Sequence, residues 1–181
     1  VGEKRREAVE AAIRATGCAG SRWLGPEGVV LGRWVRLKCE FGCGHYGHKA
    51  VCPPNLPPLE ECRALFGEYA RIALLHFPVE VPRPEDRHQA TRELNTRLLA
   101  LEREAFLLGH PRAFVLYVDP CHVCAECSPR RVECKDLRAA RPSPEGLCVD
   151  VFSTVRRAGL PIEVLTDKGQ AMNRYALLLL E

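Results

Sequence analysis

Seven of the ten cysteines fall into two tight groups, Cys39, Cys43 and Cys52, then Cys121, Cys124, Cys127 and Cys134, and this spacing restricts the chain more than anything else in it. Two-residue gaps, as between Cys121, Cys124 and Cys127, turn successive thiols back toward one centre, which is how a chain wraps the corners of an iron–sulfur cubane. Segments of this kind are irregular, so the remaining sequence must supply a scaffold that carries two loops, at about residues 38–58 and 119–144.

The material for such a scaffold is present. With 46% hydrophobic residues over 181 positions, the chain can bury one sizeable core, and a single domain over residues 1–181 is expected. The formal charge of +3 is spread without a basic run, which argues against a nucleic-acid partner. The longest apolar stretch, Ala176 to Leu180, is too short for a bilayer, and the charged start from Val1 to Glu10 lacks the apolar centre of a secretory signal. A cytoplasmic protein with no membrane contact is the expectation. Reducing cytosol rarely supports disulfides, so ten cysteines there point to metal or redox chemistry.

Periodicity gives the elements. Val9, Ala12, Ile13 and Thr16 form a stripe that predicts a helix over 7–16, stopped by Gly17. The branched and aromatic run from Val29 to Leu37 reads as a strand that delivers Cys39 at its end. Gly, His and Pro fill residues 41–58, which reads as a loop. Helices follow over a stretch starting at Leu59 and over 85–109, where Leu94, Leu98, Leu101, Ala105 and Leu108 line up opposite a charged face. Ile72 to Phe77 and Ala113 to Val118 read as buried strands, the second ending at Asp119-Pro120 where the second cysteine group begins. A helix over 145–157, with Cys148, Phe152 and Val155 on one side, and two last strands, Ile162 to Leu165 and Arg174 to Leu180, joined by a polar segment with Gly169, complete the pattern. The expected fold is α/β or α+β, a sheet with parallel crossovers, a C-terminal hairpin and cysteine loops at strand ends.

The two groups differ chemically. Cys121, Cys124, Cys127 and Cys134 can satisfy one 4Fe-4S cluster locally. Structural zinc is the alternative, although it usually arrives as two separated pairs. Cys39, Cys43 and Cys52, the last followed by Pro53-Pro54, leave one metal corner open, to be filled by His45, His48, a more distant cysteine, water or a substrate. Cys62 and Cys148 lie on apolar helix stripes and read as core residues, whereas Cys18 lies outside any motif. His76, His88 and His110 have no partner motif. His122, between ligands, is placed to shape the field around the sulfurs. Trp23 and Trp34 read as core or cover. Arg130, Arg131 and Lys135 would raise the potential of an anionic cluster or simply solvate the loop. Ser143 is placed to cap the helix that contains Glu145.

At these residues the chain resembles a known family. Lys38-Cys39-x-x-x-Cys43-x-x-Tyr46-Gly47, then Cys52-Pro53-Pro54, the four-cysteine group, Arg141-Pro142-Ser143-x-Glu145 and Val149-Asp150-Val151 occur in the order seen in the "predicted metal-binding protein" family of anaerobic bacteria and archaea. The resemblance implies iron–sulfur clusters at Cys39, Cys43 and Cys52 and at Cys121, Cys124, Cys127 and Cys134, and implies no reaction. Cys18, Cys62 and Cys148 fall outside the pattern, and Cys148 stands where a small residue is expected. The function expected is that of an iron–sulfur protein with two 4Fe-4S clusters and a redox or electron-transfer role, its partner a redox protein or a small-molecule ligand. An enzyme using the open iron for sulfur or water chemistry, and a zinc protein that recognises a partner, are the alternatives. The sequence leaves the oligomeric state open.

Overall fold

The computed structural model describes residues 2–167 and 170–181, so the expected link at Gly169 and the chain start at Val1 lie outside the described residues. Helix α1 (Gly2–Ala15) ends before Gly17, whose φ of 82° only glycine adopts readily. Strand β1 (Gly20–Leu24) follows, then α2 (Arg33–Gly42), α3 (Leu59–Gly67), β2 (Ile72–Val79), α4 (Arg87–Leu107), β3 (Phe114–Leu116), α5 (Val151–Arg157) and β4 (Met172–Leu179). Single 3-10 turns stand at Pro26–Gly28, Pro84–Asp86, Arg131–Glu133 and Glu145–Leu147.

The α+β reading describes this arrangement, with one correction of direction: the four strands form a sheet of order β1-β2-β4-β3 in which every pair is antiparallel. Both faces are covered, which is why β2 and β4 read as continuous apolar runs instead of alternating with polar residues. Successive side chains point to opposite faces. Ala73, Leu75, Phe77, Val115, Ala176 and Leu178 pack with Val9 and Ile13 of α1 and Leu94, Leu98, Leu101 and Ala105 of α4. Ile72, Leu74, Leu116, Leu177 and Leu179 pack on the other side with Cys62 and Phe66 of α3 and Val155 of α5. Each leucine buried in these layers contributes about 1.5–3 kcal/mol.

Three expectations fail in detail. The run from Val29 to Leu37 is not a strand: only a lone bridge between Leu31 and Val149 forms, Gly32 is the last extended residue, and α2 begins at Arg33. Cys39 therefore lies in the last turn of a helix, not at a strand end. Sheet pairing falls to β1 instead, a short edge segment whose residues Gly20 to Leu24 align with His76 to Ile72. Residues 162–165 are irregular, so no C-terminal hairpin forms from that segment, and β4 inserts between β2 and β3. The helix over 145–157 is interrupted: Cys148 has φ 63°, its backbone amide closing the 3-10 turn by donating to Glu145 O at 3.0 Å, before Asp150 restarts the helix by accepting from the Ser153 amide at 3.0 Å. That positive φ is the conformation in which a small residue, glycine above all, is least strained. Among the described residues, no helix is long and apolar enough to cross a membrane.

Candidate metal centre

Beyond β3 the chain continues buried through Tyr117 and Val118 before Asp119-Pro120 turns it into the second cysteine loop. The far end of that loop is pulled back onto its start. Tyr117 donates its amide to Pro142 O at 2.9 Å and its hydroxyl to Ala139 O at 2.7 Å. Arg141 grips Glu102 of α4 through two nitrogens at 2.5 and 2.8 Å, a planar two-point pairing. Glu102 also accepts from the Val115 amide at 2.8 Å, so helix, edge strand and loop share one anchor. Within the closed loop, Cys121, Cys124, Cys127 and Cys134 all line one cavity of about 10 Å³, walled by Ala50, Val51 and Ala140.

The donor set fits a metal that prefers soft ligands: four thiols face one space with largely apolar walls. The cavity is drawn tight. Among the described residues no three His, Cys, Asp or Glu side chains stand close enough together to grip an ion.

In the first group Cys39 is half-buried in the last turn of α2, and Cys43, the residue that ends the helix, is exposed. At four residues apart they share a face. Both line a pocket of about 210 Å³ with Trp34, Lys38, Phe152 and Glu145. Cys52 is buried further in, and its thiol feels the charges of Cys43 and Cys39 but also that of Cys127 in the second group. Burial pushes Cys52 up to about 12 and also raises Cys39 and Cys121; for Cys121, hydrogen bonds from the Val123 and Arg141 backbone offset part of the effect.

The two loops are fastened together. Lys49 donates to Cys121 O at 3.0 Å, Asn55 donates to Pro129 O at 2.7 Å, and Ala50 and Val51 form a wall of the second group's cavity. Arg36, buried in α2, donates to Pro57 O at 2.8 Å and to Gly146 O at 3.0 Å, and lies 3.5 Å from the Cys148 sulfur. All seven sequence-selected cysteines thus lie on two cross-linked loops and the helix end that feeds them.

Sequence patterns did not reveal the polar residues gathered beside these loops. His45, His122 and His88 come from the first loop, the second loop and the first turn of α4, with ring centres 5.9 Å apart for His45 and His122 and 4.7 Å for His88 and His122. Burial, then the charge of Lys49, lowers His45 and drops His122 to about 4. Asp119 accepts from Arg174 at 2.7 Å and from Thr91 at 3.2 Å, yet burial outweighs these partners and raises its pKa. Glu145 keeps solvent contact but is surrounded by protein and sits near Asp119, which pushes its carboxyl up to about 7; Ser143 and the residue's own amide hydrogen-bond to it. Only tertiary structure joins these positions, although spacing had marked His45 as a candidate for the open corner of the first group and His122 as lying between two ligand candidates.

The remaining candidates are structural. Cys62 and Cys148 are fully buried on the α3 side of the sheet, Cys62 on the apolar stripe of its helix and Cys148 at the end of the 3-10 turn instead of on a helix stripe. Cys18 donates to Gly20 O at 2.9 Å and packs on the other core. His76 stacks on Tyr175 and bonds to Asn173 at 2.7 Å, His110 lies 2.8 Å from Glu181, and His48 is exposed. Ser143 caps the 3-10 turn by accepting from the Gly146 amide at 3.3 Å. Arg130 is paired with Glu133, and Lys135 stands 3.9 Å from Glu126, so much of the loop's positive charge is balanced locally.

Comparison with curated proteins finds no match to the chain, and comparison with solved structures finds none. The family model described as predicted metal-binding protein (DUF2284) matches residues 22–180, a span that takes in the whole sheet except its first two residues, both cysteine loops and the Glu145 turn. The chain therefore belongs to this family of predicted metal-binding proteins.

Proposed function

We propose that this metal-binding protein is an iron–sulfur protein with a redox role, working in the cytoplasm with a redox partner protein or a small-molecule ligand. Cys121, Cys124, Cys127 and Cys134 would hold one 4Fe-4S cluster, which when bound supplies single-electron transfer. Cys39, Cys43 and Cys52 would hold a second, with one iron free of thiolate. The observation that carries this reading is that four thiols close in sequence line a single cavity, part of whose wall is supplied by the loop of the other three. What the chain itself contributes is enclosure. Ala50, Val51 and Ala140 form an apolar wall of the four-thiol cavity, Lys49 fixes the Cys121 carbonyl, and the Arg141–Glu102 pair holds the loop's exit.

A second reading has its own observation. The pocket beside Cys39 and Cys43, about 210 Å³, is large enough for a small molecule, as an enzyme using the open iron would need.

Anaerobic purification with iron, sulfide and zinc counted per chain tests the proposal. We expect a brown protein that bleaches with dithionite, with Cys121→Ser removing one set of spectral signals and Cys43→Ser the other. A colourless protein with stoichiometric zinc would leave a structural zinc protein as the correct reading.

A further inference from the structure

Arg36 holds its guanidinium out of water in α2, and a buried cation calls for an anion or a full set of acceptors. It has neither. Among the described residues no carboxylate pairs with it, and its Nε meets no acceptor. Its Nη2 approaches Pro57 O at 2.8 Å, Gly146 O at 3.0 Å and the Cys148 sulfur at 3.5 Å. Of these three neighbours only the sulfur can take a negative charge.

That sulfur also meets a second thiol. Cys62, near the start of α3, hydrogen-bonds to Cys148 and approaches Pro57 O at 3.5 Å, so one guanidinium, two thiols and one carbonyl close a ring of contacts. Both cysteines pack in the core beside Phe66 and Leu147, yet both are free thiols. Burial, then the charge of Cys148, pushes the Cys62 thiol up to about 12, so Cys62 keeps its proton and acts as the donor of the pair. The seven loop cysteines take no part in this ring.

We propose that Cys148 and Cys62 are an oxidation site separate from the metal loops, a dithiol that hydrogen peroxide converts to a disulfide with Cys148 as the attacking sulfur. Cys148 attacks one peroxide oxygen, the O–O bond breaks, and the Cys148 proton leaves with the departing oxygen as water, giving a sulfenic acid. Arg36 stabilises the negative charge that develops on the attacking sulfur. Cys62 then attacks the Cys148 sulfur, the S–O bond breaks, and the Cys62 proton leaves with that hydroxyl as a second water. Two thiols have lost two electrons and two protons, and one peroxide has become two waters. An oxidant this small reaches a buried pair through local opening. The bond ties α3 to the turn that ends at Cys148 and so fastens the base of the first cysteine loop.

The test treats the anaerobically purified chain with stoichiometric hydrogen peroxide, then unfolds, alkylates and digests it for mass spectrometry without reduction. We expect a peptide linking Cys62 to Cys148 that dithiothreitol separates. The same chain oxidised in urea should form this link only at the level of random pairing. Cys62→Ala should leave Cys148 as a sulfenic acid, trapped by dimedone as the chain unfolds, whereas Cys148→Gly, suited to the positive φ at that position, should leave Cys62 unlabelled. Near-ultraviolet circular dichroism reports folding, and should either variant not fold, the comparison of folded with urea-unfolded wild type decides. Two alkylated thiols at these positions after oxidation, or a link no more frequent in the folded chain than in urea, would overturn the site. Dimedone on Cys62 in Cys148→Gly would overturn the assignment of Cys148 as the attacking sulfur. Because the link is read by mass, a colourless protein that forms it would end the iron–sulfur reading and leave this one standing.

Discussion

Cys52 has its thiol pushed up to about 12 by burial, and half-buried His122 is held down to about 4 by burial and by the charge of Lys49. The two shifts act at opposite ends of the pH scale. A thiol raised in the fold contributes stability that is complete below its ordinary value near 9 and is lost as pH climbs toward 12. Binding a metal opposes this preference, because each ligand thiol must give up its proton, so metal affinity at the first group should rise with pH. For His122 the folded state favours the neutral ring. Its contribution is therefore complete above about 6.5 and is lost as pH falls toward 4. At matched metal loading, we expect the unfolding free energy, read from denaturant titrations, to fall across that window by an amount on the order of 1–2 kcal/mol after allowance for solvent screening. Replacing His122→Gln should flatten the profile. A slope that persists in His122→Gln would assign the effect to another group.

Arg36 connects α2, the end of the first loop and the Glu145 turn through bonds to Pro57 O and Gly146 O, and it does so from a buried position. Hydrogen bonds to a charged donor are worth about 1.5–3 kcal/mol each, and carbonyls left without a partner add their own cost. We expect Arg36→Met to lower stability by about 2–4 kcal/mol and to reduce metal content at the first group more than at the second, read by metal analysis alongside chemical denaturation. An equal loss at both groups would mean that Arg36 supports the fold without favouring either loop. The same residue explains where the sequence was hard to read. Long elements with strong periodicity, such as α4 with Leu94, Leu98, Leu101 and Ala105, and the continuous apolar runs of β2 and β4, were legible because their own residues decide them. The segment 33–42 was not: Trp34-Val35-Arg36-Leu37 alternates like a strand, and it is helical with Val35 and Arg36 inward because Arg36 finds carbonyls supplied by distant segments. β1 escaped notice for the complementary reason, since Gly20-Ser21-Arg22 carries little local strand signal and is recruited by pairing with β2. The seven clustered cysteines could be picked from spacing, whereas His88 and Glu145 reach the loops only through the packing of α4 and the turn after Ser143.

Taken as a whole, the molecule is an antiparallel sheet padded on both faces, with its two irregular loops held against each other instead of standing apart at separate strand ends. Cys52 belongs to the first loop by sequence, yet its thiol feels the charge of Cys127 in the second, and Lys49 and Asn55 hold the loops at that separation. Two paramagnetic centres placed on these thiols would be near enough to sense each other. On the iron–sulfur reading, full reduction should give an electron paramagnetic resonance spectrum split or broadened by spin coupling, beyond the sum of two independent signals. Cys124→Ser, which removes one centre, should leave the other with a simple, narrow spectrum. Asn55→Ala, which cuts a fastening between the loops and leaves every thiol in place, should weaken the coupling without changing the iron count. Additive signals in the wild type would mean that the loops house two independent centres, and the wall formed by Ala50 and Val51 would then serve only to pack the loops together.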